Sequence, residues 1–197
     1  FEGIGEIESV QAGLFRANPV ETNDTAWIRG VMRGGAQLLF YSTHCSDVNE
    51  GPISEIQGEL GSITYASEKV EIQYKNGERE EFPMTPGDKM RANIYTQLIR
   101  RLQDPAAFIC TAEIAAGHTR ICNAVFDSVR CVELPESAFR VETNAKGAVR
   151  RVIPGIDDVI RAAYRENRLP DTRDFPWAVN GEPFAMEGYH AFSGAGL

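Results

Sequence analysis

The chain has 197 residues, enough for one domain with a sizeable core or for two small ones. Its 20 basic residues face 28 acidic ones, for a net charge of -8, which argues against a general nucleic-acid surface and against anionic membranes, because both select a basic face. Composition is ordinary for a globular protein, 43% hydrophobic and 24% charged, and no apolar run reaches the ~18 residues of a membrane helix.

The first half reads as strands. The stretch from Ile4 to Phe15 alternates imperfectly, and since residue 1 is Phe, the chain is expected to be a piece whose front half is missing. Val20 to Asp24 is a polar turn, and Ala26 to Met32 a second strand. Arg33-Gly34-Gly35 is a hairpin turn, in which Gly supplies positive φ at no steric cost. Ala36 to His44 is a third strand, apolar enough to be central, and Ser46 to Pro52 a loop. Strands follow at Ile53–Glu59, Ser62–Tyr65, Lys69–Tyr74 and Glu78–Phe82; the third of these alternates strictly, so one of its faces is wet.

The period then changes. Pro86-Gly87-Asp88 opens a helix near Lys89, with Met90, Ile94, Leu98 and Leu102 on one face and Asp104-Pro105 as its end. Thr111 precedes a second helix, whose stripe is Ile114, His118, Ile121, Cys122, Val125 and Val129. Ala138–Thr143 and Ala148–Ile153 read as a hairpin around Ala145-Lys146-Gly147, and Ile156 to Glu166 as a third helix. From Leu169 the chain turns irregular, rich in Pro, Gly and aromatics, and is expected to wrap over a surface. Strands first and helices second give the α+β class: an open-faced, mostly antiparallel sheet with helices packed on one face.

No catalytic constellation stands out. Gly3-Ile4-Gly5 begins like a dinucleotide fingerprint, but position 8 is Glu and the segment reads as a strand. His44 and Cys45 resemble a nucleophile pair only in sequence, because neighbours on a strand point to opposite faces. His118 and Cys122 share the four-residue spacing of metal ligands, but no third ligand is evident and both are expected in the core. His190 lies in the aromatic tail, to line a pocket lip or pack. Glu21, Asp24 and the run Glu78 to Glu81 are expected to be solvated. The cysteines (Cys45, Cys110, Cys122, Cys131) are too sparse for a disulfide framework; they read as buried thiols in a reducing compartment, hence cytoplasmic.

Several segments together resemble one family. They are Gly5-Glu-Ile-Glu-Ser-Val10 with Ala12, Val20 to Ala26, Gly34-Gly35-Ala36, Thr43-His44, Ile56-Gln-Gly-Glu-Leu-Gly-Ser-Ile63, and the helix Thr111 to Ser128. Their order over residues 3 to 130 is similar to the C-terminal domain of the glucose–fructose oxidoreductase, inositol dehydrogenase and rhizopine catabolism family of NAD(P)-dependent oxidoreductases. The resemblance implies a dihydrodipicolinate-reductase-like domain spanning residues 1–197 as a single substrate-side and oligomerisation domain. Residues from about 135 to 197 would be a C-terminal extension wrapping it.

The resemblance further implies hydride transfer on a sugar, polyol or related hydroxy compound. NAD or NADP would be held mainly by an absent Rossmann domain, with none expected in this chain. The family's Gly-rich turn, Glu-Lys-Pro motif and His-bearing helix have no counterpart here, so no catalytic, cofactor or metal residue carries over and the chain alone is expected to be inactive. Two residues are assigned to the substrate side: His44, at the strand-end Thr-His, and Arg16, at a strand end nearby. The implied partners are the chain's own Rossmann domain, a small-molecule substrate, and further copies through the open sheet face. Trp27, Met32 and the strand from Ala36 to His44 are expected to supply that apolar face. The alternative is a stand-alone, non-catalytic binding or assembly module.

Overall fold

The structure, a computed structural model, describes residues 6–66, 69–143 and 147–194. Gly3-Ile4-Gly5 and the hairpin tip Ala145-Lys146 lie outside the described residues. The chain forms two units, one of Phe1–Val48 with Glu113–Leu197, the other of Asn49–Ala112.

The first unit is built on strands β1 (Ile7–Arg16), β2 (Thr25–Met32) and β3 (Gln37–Thr43), paired antiparallel in that order. The turn between β2 and β3 closes with Gly35 at φ 84°, the conformation that the Gly pair predicts. The other edge of β1 is shared by two short strands. In the second unit β4 (Ile53–Gln57), β5 (Gly61–Ala66), β6 (Lys69–Tyr74) and β7 (Arg79–Pro83) form an antiparallel meander, followed by helix α1 (Gly87–Gln103). The first unit resumes in α2 (Ala112–Ser128), β8 (Val132–Glu133), the hairpin β9 (Arg140–Thr143) with β10 (Val149–Val152), α3 (Ile156–Arg165) and β11 (Phe184–Ala185). β11 pairs antiparallel with β1 at Ser9–Val10, and β8 parallel at Phe15–Arg16. The α+β class and the mostly antiparallel pairing expected from the sequence are borne out.

Alternation along β1 divides the core of the first unit. Val10, Ala12 and Leu14 pack with Ala26 of β2 against Ala124 and Val125 of α2. Phe15 and Trp27 face the other way, into a cluster with Cys45, Ile153, Ile156, Leu169 and Ala178. Trp27 is therefore fully buried, not part of an exposed patch; Trp177 from the tail covers it, with ring centroids 6.0 Å apart. The stripe of α2 is real only in its C-terminal half. Ile114 is 53% exposed and His118 is exposed too, which corrects the core reading of that histidine.

Helix α3 ends in a Schellman turn. Asn167 takes the left-handed position at φ 51°, its N–H donates to Tyr164 O, and the N–H of Arg168 donates to Ala163 O. That reversal sends the tail back over the sheet, where Pro170, Ala178 and Met186 are buried. Only Cys45 of the four cysteines is buried, and all four are unpaired.

Candidate functional site

The strand ends of the first unit bring Arg16 and His44, the two residues expected on the substrate side, to one end of the sheet. Phe15 is registered opposite Thr25, and Thr25 opposite Thr43, so Arg16, Asp24 and His44 leave the sheet at the same end. Backbone bonds lock the row: Asp24 N–H donates to Phe15 O at 3.0 Å, and His44 N–H to Asp24 O at 2.8 Å.

Asp24 organises this end. Its Oδ2 accepts the N–H groups of Ala17 (3.0 Å) and Asn18 (2.6 Å) and the Asn18 side-chain amide (2.9 Å); its Oδ1 accepts the Thr25 hydroxyl at 3.3 Å. It is buried, against the expectation of a solvated turn carboxylate. Four donors replace the water that burial removes, and a carboxylate needs that compensation. The hydroxyls of Thr25 and Thr43 lie 2.9 Å apart, and Thr43 Oγ1 also accepts the Cys45 N–H. A signal for Asp24 does exist in the sequence: it stands one residue before a strand and six after Asn18, where a short polar turn must satisfy its own backbone.

Cys45 lies beneath the row. The Asn18 amide donates to its Sγ at 3.3 Å, and the Cys45 carbonyl accepts the Ile153 N–H. Burial first, then the Asp24 charge beside it, pushes the thiol up to about 12, so it stays protonated at neutral pH. A thiol so placed is no nucleophile, and the pairing of His44 with Cys45 for hydrolysis fails on burial as well as on geometry.

Arg16 is half-buried and engaged. Its Nη1 donates to the carbonyls of Val20 and Glu21, and its Nη2 meets Glu133 of β8 at 3.3 Å. Arg151 grips the same turn from β10 by donating to Ala17 O, with its guanidinium 4.9 Å from the Phe139 ring. His44 is exposed, and its imidazole makes no hydrogen bond among the described residues. Beyond it, Ser46 Oγ donates to Asp157 Oδ1 at 2.5 Å, and Asp47 N–H to Asp157 Oδ2 at 3.2 Å, which docks the outgoing loop on the first turn of α3. This end of the sheet thus presents an exposed imidazole on β3's side and a tethered guanidinium on β1's side, with the buried Asp24 between them in register. Such an edge suits hydrogen bonding to an oxygen-rich small molecule.

Each α-helix among the described residues carries acid in its first turn, Asp88 on α1, Glu113 on α2 and both Asp157 and Asp158 on α3, which disfavours a phosphate at those N-termini. His118 Nε2 and Cys122 Sγ sit 3.7 Å apart, and no group of three metal-ligating side chains forms among the described residues. His190 is exposed next to Tyr189. No helix is long and apolar enough to cross a membrane among the described residues.

No family model matches the chain, and no curated protein does. Solved structures do. An oxidoreductase from Agrobacterium radiobacter, determined in complex with NAD+, L-tartaric acid and magnesium, is similar at a TM-score of 0.52 and 17% identity over 64% of this chain and 42% of that one. A candidate oxidoreductase from Thermotoga maritima is similar at a TM-score of 0.45 and 18% identity, over 59% of this chain and 36% of that one. The chain spans about two fifths of the length of these structures. The likeness to the first is one of fold: this chain has the α+β fold of part of an oxidoreductase.

Proposed function

We propose that the chain is the C-terminal domain of an NAD(P)-dependent oxidoreductase acting on a sugar, polyol or related hydroxy compound, of the family the sequence resembles. Residues 1–197 form one substrate-side and oligomerisation domain, with about 135–197 as its extension. The nicotinamide nucleotide belongs to a Rossmann domain outside this chain, and supplies the hydride acceptor or donor when bound. This chain supplies the substrate-side edge: His44 hydrogen-bonds a substrate hydroxyl or carboxylate, and Arg16 holds the turn beside it while adding positive charge. Catalytic residues lie in the other domain, and the isolated chain does not turn over.

The observation that carries the reading is the shared fold with the Agrobacterium radiobacter oxidoreductase, joined to the convergence of Arg16 and His44 at one strand end. The four unpaired thiols fit a reducing compartment, and we assign the protein to the cytoplasm. The homo-oligomer forms through the open sheet face, for which the exposed Leu38 and Phe40 of β3 are apolar material, and the second unit adds exposed Ile56, Ile63, Tyr65 and Phe82.

The test is a two-part assay on the purified chain. Hydride transfer is followed at the nicotinamide absorbance with NAD or NADP and a panel of polyols, sugars and hydroxy acids. Binding of the same panel is followed by ligand-observed NMR on the wild type and His44→Ala. The reading expects no turnover, and weak binding of one class that His44→Ala abolishes. Turnover by the chain alone, or binding indifferent to His44, overturns it.

A further inference from the structure

The second unit holds two apolar surfaces that nothing in it covers. In its meander, register assigns the side chains to faces. Lys69, Glu71, Arg79 and Glu81 share one face and pair there, with Lys69–Glu81 at 2.7 Å and Arg79–Glu71 at 2.6 Å. The opposite face carries two rows across three strands, Ile56–Ile63–Ile72 and Tyr65–Val70–Phe82. Helix α1 is the second surface. No residue of it is buried, although Met90, Ile94, Tyr95, Leu98, Ile99 and Leu102 form a broad apolar side. An amphipathic helix of 17 residues draws most of its stability from the surface its apolar side covers.

Two features match these surfaces to each other. The first is charge. Residues 49–86 carry eight acidic and three basic residues, while α1 carries four basic and one acidic. Among the described strand residues, Glu80 is the single charge on the apolar sheet face, opposite Ile72 and hydrogen-bonded to Tyr74 Oη at 2.9 Å. On α1, two cations fall within the apolar side: Arg91, two turns before Leu98 on the same line near the N-terminus, and Arg101 near the C-terminus, which is turned back onto the carbonyls of Pro105 and Ala107. The second feature is the connection. Pro83 and Pro86 bracket the three-residue link from β7 to α1, and Pro86 is extended at φ -52°, ψ 144°. Proline fixes its own φ and restricts the residue before it, so this link is stiff, and α1 leaves the apolar face of its own sheet exposed. A short stiff hinge between an uncovered element and its complement is the situation in which copies exchange that element.

We propose that α1 of one copy packs on the apolar sheet face of a second copy, and the reverse, in a two-fold exchanged dimer with Arg91 facing Glu80 of the other chain. This inference rests on the homo-oligomer reading above and names what covers the open face.

The test combines light scattering with site-specific photocrosslinking of the 197-residue chain. With Leu98→p-benzoylphenylalanine, the expected product is a covalent dimer whose crosslinked peptide lies within 53–83 of the other chain. A dimer that crosslinks elsewhere, or a chain that crosslinks to its own sheet at monomer mass, overturns the exchange and leaves the oligomer reading standing. A monomer at all concentrations overturns both. Glu80→Arg and Arg91→Glu should each weaken the dimer about tenfold, and the two combined should restore it. Failure of the combination to recover also overturns the proposal.

Discussion

Trp27 donates its indole N–H to Asn180 Oδ1 at 2.6 Å, joining the second strand to the tail across 153 residues of sequence. Asn180 in turn donates from its amide to Pro170 O at 2.8 Å. Both groups lie where water does not reach freely, so Asn180→Leu should cost about 2 kcal/mol by leaving the indole N–H unpaired. Urea unfolding of wild type and variant, read by tryptophan fluorescence, measures it.

Gly13 faces that same indole. A Cβ there would lie 2.5 Å from Trp27 Nε1, 2.7 Å from Asn180 Oδ1 and 2.7 Å from the Phe15 ring. Gly13→Ala should therefore destabilise the chain by roughly 1–3 kcal/mol although β propensity favours Ala over Gly. A melting temperature unchanged by the substitution would refute the close approach.

Asp24→Ala removes the acceptor of four donors and leaves the Ala17 and Asn18 N–H groups without it, for an expected loss of about 2–4 kcal/mol. His44→Ala, on an exposed side chain, should change stability by less than about 0.5 kcal/mol. Chemical denaturation of the two variants separates the frame of the candidate site from the residue it presents.

The Cys45 thiol gives an alkaline signature. Burial pushes it up to about 12, above the ordinary thiol value of 9.0, so the native state keeps a proton that the unfolded chain releases. The stabilisation is complete below pH 9 and falls as pH rises from about 9 to about 12. Tyr41, also pushed up to about 12 by burial, adds a loss above about pH 10. Cys45→Ala should flatten the earlier part of the decline in denaturation midpoints measured against pH. A thiol reagent should label Cys110 quickly and Cys45 only on unfolding.

Asp127 clamps the end of the tail. Its carboxylate accepts the Tyr189 hydroxyl at 2.7 Å and the N–H groups of Ser193 and Gly194 at 2.8 Å each. Asp127→Ala should raise hydrogen exchange across 189–194 while leaving α3 protected. Unchanged exchange there would show that the clamp does not hold the tail.

The order of strands and helices was legible in the residues. Alternation in Lys69–Tyr74, four-residue recurrence in α1 and Gly at the β2–β3 turn act over a few residues, so local pattern suffices to place them. β8 and β11 escaped notice because two-residue strands have no period; pairing with β1 alone defines them. The strand-end position of Arg16 and His44 was readable, but their convergence depends on the β1–β2–β3 register. Burial is likewise a property of the neighbours. Trp27 reads as half of an exposed alternation until the tail returns over it, and Asp24 reads as a wet turn residue until Asn18, Thr25 and the Ala17 backbone close on it. Local sequence determined which segments extend and which coil. Three-dimensional closure decided which side chains lose water, within one turn for Asp24 and across 153 residues for Trp27 and Asn180, because desolvation depends on which groups arrive against a side chain.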